Sequence, residues 1–277
     1  MKLQDKLKQV QREKKALLAA NFYNLETCKG ILLAARELKL PVILQLTKSS
    51  IDYMGLRMAT EIARTLSEEL EVESWVHLDH CDDIELLKKC LDAGFDSVMI
   101  DASDRPLDEN TRITARVVQL ARSYGANVEA ELGSVPKLGR ELEADKFTDP
   151  VEAGSFVEET GVDALAVAIG SKHGFYKGEP KLDLKRLAAI NAATKVALVL
   201  HGGSGIPDES LDRAIELGIV KVNIATETKD IFTRTLKNVL QEREEIDLRK
   251  TFPEAINSVK NLIMQKLKVV SRTNERR

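Results

Sequence analysis

A chain of 277 residues, 43% hydrophobic and 31% charged, can bury a sizeable core as one large domain or two small ones. Its 41 basic and 44 acidic residues leave a formal net charge of -3 spread along the sequence, which excludes a global field that recruits nucleic acid or an acidic membrane. The three cysteines, Cys28, Cys81 and Cys90, are odd in number and lack CxxC spacing, which argues against a disulfide framework and a cysteine-based zinc site and reads as reduced cytosolic thiols.

The N-terminus, MKLQDKLKQVQREKK, is charged where a signal peptide is apolar, and no stretch reaches the ~20 apolar residues that cross a bilayer, so the expectation is a cytoplasmic protein. Leu3, Leu7 and Val10 recur at the spacing of a short amphipathic helix, expected as a lid on one end of the fold. The locally basic ends, Lys2 to Lys15 and Arg272 to Arg277, read as solvated surface. Eight β-type runs follow in order: ALLAANF from Ala16, VILQLT from Val42, SWVHLDH from Ser74, SVMIDAS from Ser97, NVEAEL from Asn127, ALAVAIG from Ala164, VALVLHG from Val196 and IVKVNIA from Ile219. Between them, Glu26 to Leu38, Leu56 to Leu70, Ile84 to Ala93 and Asn110 to Tyr124 carry helical periodicity. Apolar strands alternating with helices imply a parallel sheet covered on both sides, and eight units at this length match a closed (β/α)8 TIM barrel. A doubly wound open sheet is the alternative. No linker-like composition divides the chain, so residues 1–277 read as one barrel domain with a short N-terminal helix and a C-terminal helical extension.

In a parallel barrel, chemistry gathers at the C-terminal ends of the strands. Those exits present Asn21, Thr47, Asp79 with His80, Asp101 with Ser103, Glu131, His173, His201 and Asn223. Asp79 and His80 end the run WVHLDH as an acid beside an imidazole; a lone histidine in an apolar strand is more often a hydrogen-bonded core residue. Of only four histidines, His80, His173 and His201 sit at exits, a ligand set suited to a catalytic zinc with open positions for substrate. His77, two residues before Asp79 on the same strand face, reads as a supporting or core residue. The loops His201-Gly202-Gly203-Ser204-Gly205 and Asn223-Ile224-Ala225-Thr226 follow the last two strands, where barrels often hold a phosphate on backbone N–H groups, and Lys177 could add a point charge.

The runs HLDH, GFDSVMIDAS, VEAELG, FTDP, TGVDALAVAIG, HGFYK, LVLHGGSGIPDE and KVNIATE, from the Asn21 region to about Lys268, resemble the class II, zinc-dependent ketose-bisphosphate aldolases, closest to the tagatose- and fructose-bisphosphate branch. The resemblance implies one Zn2+ per chain on His80, His173 and His201, and Asp79 as the acid/base on the C4 hydroxyl. Asp101 and Glu131 would line an alternative or outer metal position. Gly174, Lys177, Gly202, Ser204, Asn223 and Thr226 would bind the dihydroxyacetone-phosphate end, with a monovalent cation nearby.

Two stretches depart from that pattern. After VEAELG the chain reads SVPKLGRELEADKF, shorter than the branch's mobile loop and without its Gly-Gly and Glu-Asp pairs. Glu141 or Glu143 could return the proton to the enediolate carbon, or both are solvated loop acids. After the second strand stands QLTKSS, where Thr47 replaces a serine expected to receive the distal phosphate and Lys48 changes the charge. The expected function is a metal-dependent aldolase that reversibly splits a fructose- or tagatose-type ketose 1,6-bisphosphate into dihydroxyacetone phosphate and an aldehyde, in a homo-oligomer, dimer or tetramer. Two alternatives stand beside it. One is the same mechanism on a mono-phosphorylated or modified sugar; the other is a catalytically silent barrel that binds metal and sugar phosphate.

Overall fold

Residues 1–136, 147–176, 178–242 and 244–272 are described by the computed structural model. Eight parallel strands, β1 (Leu17–Asn21), β2 (Val42–Thr47), β3 (Ser74–Cys81), β4 (Ser97–Ile100), β5 (Asn127–Leu132), β6 (Ala164–Val167), β7 (Ala197–Leu200) and β8 (Ile219–Ile224), pair in chain order. β8 returns to pair with β1, with Ala19 opposite Asn223, so the sheet has no edge and the open-sheet alternative is excluded.

The helices are α1 (Leu3–Arg12), α2 (Leu25–Leu38), α3 (Lys48–Met54), α4 (Leu56–Glu69), α5 (Ile84–Asp92), α6 (Leu107–Arg122), α7 (Pro150–Thr160), α8 (Leu184–Ala193), α9 (Asp208–Glu216), α10 (Thr226–Glu242) and α11 (Leu248–Val270). Their starts are written locally. Asn24, Asp83 and Asp149 accept first-turn amides of α2, α5 and α7 on their side chains, and α7 adds a proline at its first position. None of the described helices is long and apolar enough to span a membrane.

Strand alternation sorts the core into two shells. Outward residues such as Leu18, Leu44, Leu78, Val98 and Leu198 pack with Ile31, Leu87, Val117, Phe156 and Leu187 of the helices. Inside the barrel, Leu17, Ala19, Ile43, Trp75, Ala166, Val199 and Val220 form a smaller apolar plug at the N-terminal end, closed by Leu3, Leu7 and Val10 of α1. The N-terminal lid is therefore real, and it covers the end opposite the strand exits. At the C-terminal side of the sequence, α11 lies against α2 so closely that a Cβ on Gly30 would meet Val259 at 2.8 Å.

Alternation fails at two places, and both matter to the interior. β3 pairs Leu78 with Val98 but Cys81 with Ile100, three steps against two, and His80 takes a left-handed φ of 48°. That bulge returns Cys81 to the outer core and lets Asp79 and His80 both face the mouth. β8 has the second, with Leu198 opposite Ile219 and Val199 opposite Lys221, so Val220 and Lys221 both enter the barrel.

Leu7 is 2% exposed where α1 closes the plug. Leu7→Ala should therefore cost about 2–5 kcal/mol of stability. Chemical denaturation reads the loss, and a shift under 0.5 kcal/mol would show that α1 is not a structural closure.

Candidate active site

The three mouth histidines arrive by different routes. His80 is turned inward by the β3 bulge, His201 is the first residue beyond β7, and His173 lies six residues past the end of β6, in the connection to α8. Their ring centroids are 4.6 Å apart for His80 and His201, 4.9 Å for His80 and His173, and 6.0 Å for His173 and His201. One nitrogen from each can lie within 4.8 Å of the others.

Hydrogen bonds decide which nitrogen faces the centre. His80 Nδ1 donates to Asp101 Oδ2 at 2.8 Å, and His201 Nε2 donates to Glu129 Oε1 at 2.8 Å. The remaining nitrogens, His80 Nε2 and His201 Nδ1, then confront each other at 2.8 Å. Two lone pairs at that distance require a positive centre, either a proton or a metal ion shared with His173. The electrostatics agree: burial pulls His80 down, but Asp79 and Asp101 push it up to about 9, while burial, His80 and His201 take His173 down to about 3. An all-imidazole donor set beside carboxylates fits a borderline-soft divalent ion such as zinc.

Asp79 is 5% exposed and held by two amides, Asn21 Nδ2 donating to Oδ2 at 2.8 Å and Asn223 Nδ2 to Oδ1 at 3.4 Å. Gln45 Nε2 in turn donates to Asn21 Oδ1 at 3.0 Å. Burial raises this carboxyl, but His80, His201, Lys221 and His77 together bring it down to about 2. Glu131 moves the other way, raised by burial and by Asp101. Its Oε1 accepts from Val135 N at 3.0 Å, while Oε2 has no hydrogen-bond partner and lies 3.8 Å from His201 Nδ1. His80, Asp101 and Glu131 thus form a second grouping able to hold a cation, beside a cleft of ≈ 190 Å³ bordered by Asp82, Ser103 and Asp104.

Across the mouth, Asn21, Asp79, His173, Gly174, Gly202, Ser204, Asn223, Ala225 and Thr226 line one small cleft of ≈ 20 Å³. Gly202 has φ +66°, and a Cβ there would sit 2.3 Å from Lys172 O; on Gly203 it would meet Asn223 O at 2.8 Å. Only glycine lets these backbones approach. Ser204 Oγ accepts from Ala225 N and Glu227 N, both at 3.3 Å, leaving its own hydrogen free to donate. Tyr176 ties the two loops together, its hydroxyl donating to Gly202 O at 2.9 Å and accepting from Lys172 N at 3.0 Å. Asn223 Oδ1 is a buried acceptor with no hydrogen-bond partner, ready for a ligand hydroxyl.

Some expectations need correction or fall elsewhere. No loop spans Asn223 to Thr226: Asn223 and Ile224 belong to β8 and Thr226 opens α10, so only Ala225 connects them. The element that follows β8 there is a helix N-terminus. Thr47 caps α3, its hydroxyl oxygen accepting from Ser50 N at 3.3 Å and meeting Ser49 Oγ at 3.0 Å, while Lys48 pairs with Asp52 at 3.6 Å. Glu141, Glu143 and Lys177 lie outside the described residues.

Sequence reasoning missed the layer beneath the mouth. Lys221 Nζ donates to Glu129 Oε2 at 2.7 Å and to His77 Nε2 at 3.3 Å, and His77 Nδ1 meets Ser97 Oγ at 2.8 Å. His77 is thus a supporting core residue, as its parity implied. The overlooked signal was a charge of each sign, Glu in NVEAEL and Lys in IVKVNI, within otherwise apolar strands.

Residues 1–275 match the family described as fructose-bisphosphate aldolase class-II. The fructose-bisphosphate aldolase of Geobacillus stearothermophilus is 40% identical over 272 residues, 96% of this chain and 95% of its own length. That of Staphylococcus epidermidis is 40% identical over 260 residues, 92% and 91% of the two chains. Among solved structures, the YdjI aldolase of Escherichia coli aligns with a TM-score of 0.86 and 30% identity over 99% of this chain and 98% of that one.

The depressed Asp79 carboxyl, at about 2 against an ordinary 3.8, stabilises the metal-free fold above pH ~4, and that contribution disappears as pH falls toward 2. Its size is on the order of 2 kcal/mol. Asp79→Asn should therefore lose less stability than the parent between pH 4 and pH 2, read by urea denaturation of chelator-treated protein. Parallel curves for the two proteins would contradict the assignment.

Proposed function

The chain belongs to the class II fructose-bisphosphate aldolase family and is an aldolase, and from that premise we propose that it reversibly cleaves a fructose- or tagatose-type ketose 1,6-bisphosphate into dihydroxyacetone phosphate and an aldehyde. The observation that carries this reading is the position of Asp79, ionised, held by two amides, and next in sequence to an imidazole of the His80, His173 and His201 cluster.

His80 Nε2, His201 Nδ1 and a nitrogen of His173 would hold a divalent metal, zinc by donor type, with Asp101 and Glu131 as an alternative or outer position. Bound there, it would supply a Lewis acid for a substrate carbonyl oxygen, replacing the need for a Schiff-base lysine. Asp79 takes the proton from the C4 hydroxyl as the C3–C4 bond breaks, and Asn21 and Asn223 keep its lone pairs aimed at that proton. The C1 phosphate sits between the Gly202–Gly205 turn and the first turn of α10, where backbone N–H groups and the helix dipole favour an anion. Glu141 or Glu143 is the proposed acid that returns a proton to the carbon.

One observation favours a narrower substrate. Thr47, standing where a serine is expected for the distal phosphate, serves as the cap of α3, and Lys48 beside it has an ion-pair partner in Asp52, which supports a mono-phosphorylated or otherwise modified sugar as the second reading. A steady-state lyase assay across a panel of bisphosphates and monophosphates, with dihydroxyacetone phosphate detected, tests both. No release from any member would reject the aldolase reaction for this chain.

Exhaustive chelation should abolish turnover, and zinc or cobalt should restore it. Full activity with metal absence verified would remove the metal mechanism, and substrate trapped on a lysine by borohydride would install a Schiff base in its place.

Asp79→Ala should lower kcat by about 10²- to 10⁴-fold with substrate binding largely kept, because the metal and phosphate positions do not depend on it. Exchange of the dihydroxyacetone-phosphate C3 proton with solvent should survive. An Asp79→Ala enzyme that cleaves at the parent rate would transfer the base role to another group.

A further inference from the structure

We infer that Lys221 is a positioning residue for His201, acting through Glu129 so that His201 presents Nδ1 to the histidine cluster. This rests on the reading that the cluster holds a metal. Lys221 is 1% exposed, brought into the barrel by the β8 bulge, and has no contact with the mouth cleft described above.

The argument is one of donors and acceptors. An ammonium only donates, so both atoms it touches must accept: Glu129 Oε2 at 2.7 Å and His77 Nε2 at 3.3 Å. His77 must then carry its proton on Nδ1, toward Ser97 Oγ at 2.8 Å, which spends that ring entirely within the barrel. Glu129, 2% exposed, has its second oxygen 2.8 Å from His201 Nε2. A carboxylate anchored at Oε2 offers Oε1 as an acceptor in one fixed direction, so His201 keeps its hydrogen on Nε2 and its lone pair on Nδ1, 2.8 Å from His80 Nε2. Among the described residues Lys221 is the only lysine or arginine paired with Glu129. Without it the carboxylate has no cation to hold its orientation, and the imidazole hydrogen is free to move between the two ring nitrogens.

The test uses metal-free, full-length protein with 15N-labelled histidine. There are only four histidines, so a His201→Gln spectrum assigns the resonance. The parent protein should show His201 with hydrogen on Nε2, and Lys221→Met should show a mixture of tautomers. Cobalt affinity, measured by competition with a chromophoric chelator, should weaken by about 10- to 100-fold in Lys221→Met. The double variant Glu129→Gln with Lys221→Met replaces the ion pair by an amide whose oxygen can still accept from Nε2, and should recover to within about 10-fold of the parent. A folded Lys221→Met protein with the parent tautomer and the parent cobalt affinity overturns the proposal. So does a parent protein whose His201 carries its hydrogen on Nδ1, which decides the matter even if the single variant fails to fold. A parent protein that shows the Nε2 tautomer but binds no cobalt leaves the positioning intact as hydrogen bonding and overturns the metal reading instead.

Discussion

Closing eight parallel strands commits every inward side chain to one enclosed column with no solvent to absorb a mismatch. The column is filled in order. Apolar residues and α1 seal one end, a hydrogen-bonded layer of Gln45, His77, Ser97, Glu129 and Lys221 occupies the middle, and the three histidines with Asp79, Asp101 and Glu131 stand at the other end. The middle layer turns a dry plug into a charged mouth without leaving an unpaired ion between them.

The cost of that layer is considerable. A lysine and a glutamate that are 1% and 2% exposed give up hydration that their mutual attraction only partly returns, and an apolar pair of equal volume would often be as stable. What the ions add is direction: each has its donors and acceptors assigned, so one arrangement of the imidazoles above them is preferred. The same reasoning applies to Asn21, Gln45 and Asn223 around Asp79, where amides fix the direction of a carboxylate that His80, His201, Lys221 and His77 keep ionised against its burial.

Both bulges serve this end. A strand of strict alternation cannot send adjacent residues to the same face, yet the mouth has Asp79 beside His80, and the interior has Val220 beside Lys221. An extra residue in β3 and in β8 solves each case, at the expense of a left-handed backbone at His80, a residue with a Cβ. Backbone strain at an imidazole beside a catalytic-type carboxylate is where such strain is commonly retained.

Much of this could be read from the chain alone. Eight apolar runs separated by helical periodicity demanded a parallel sheet, Leu3, Leu7 and Val10 marked the lid, and polar residues at strand exits pointed to the end where the histidines and carboxylates gather. These are consequences of local pattern, carried by neighbours in sequence. The pairing of Lys221 with Glu129, 92 residues apart, was not legible, nor was which nitrogen of each histidine faces the cluster. A period of two also predicts Asp79 and His80 on opposite faces, and only the register slip between β3 and β4 brings them together. Sequence determines which groups reach an exit because strand periodicity is local; closure of the barrel decides which of them meet, because a hydrogen-bond partner across the barrel exists only once the first and last strands are joined.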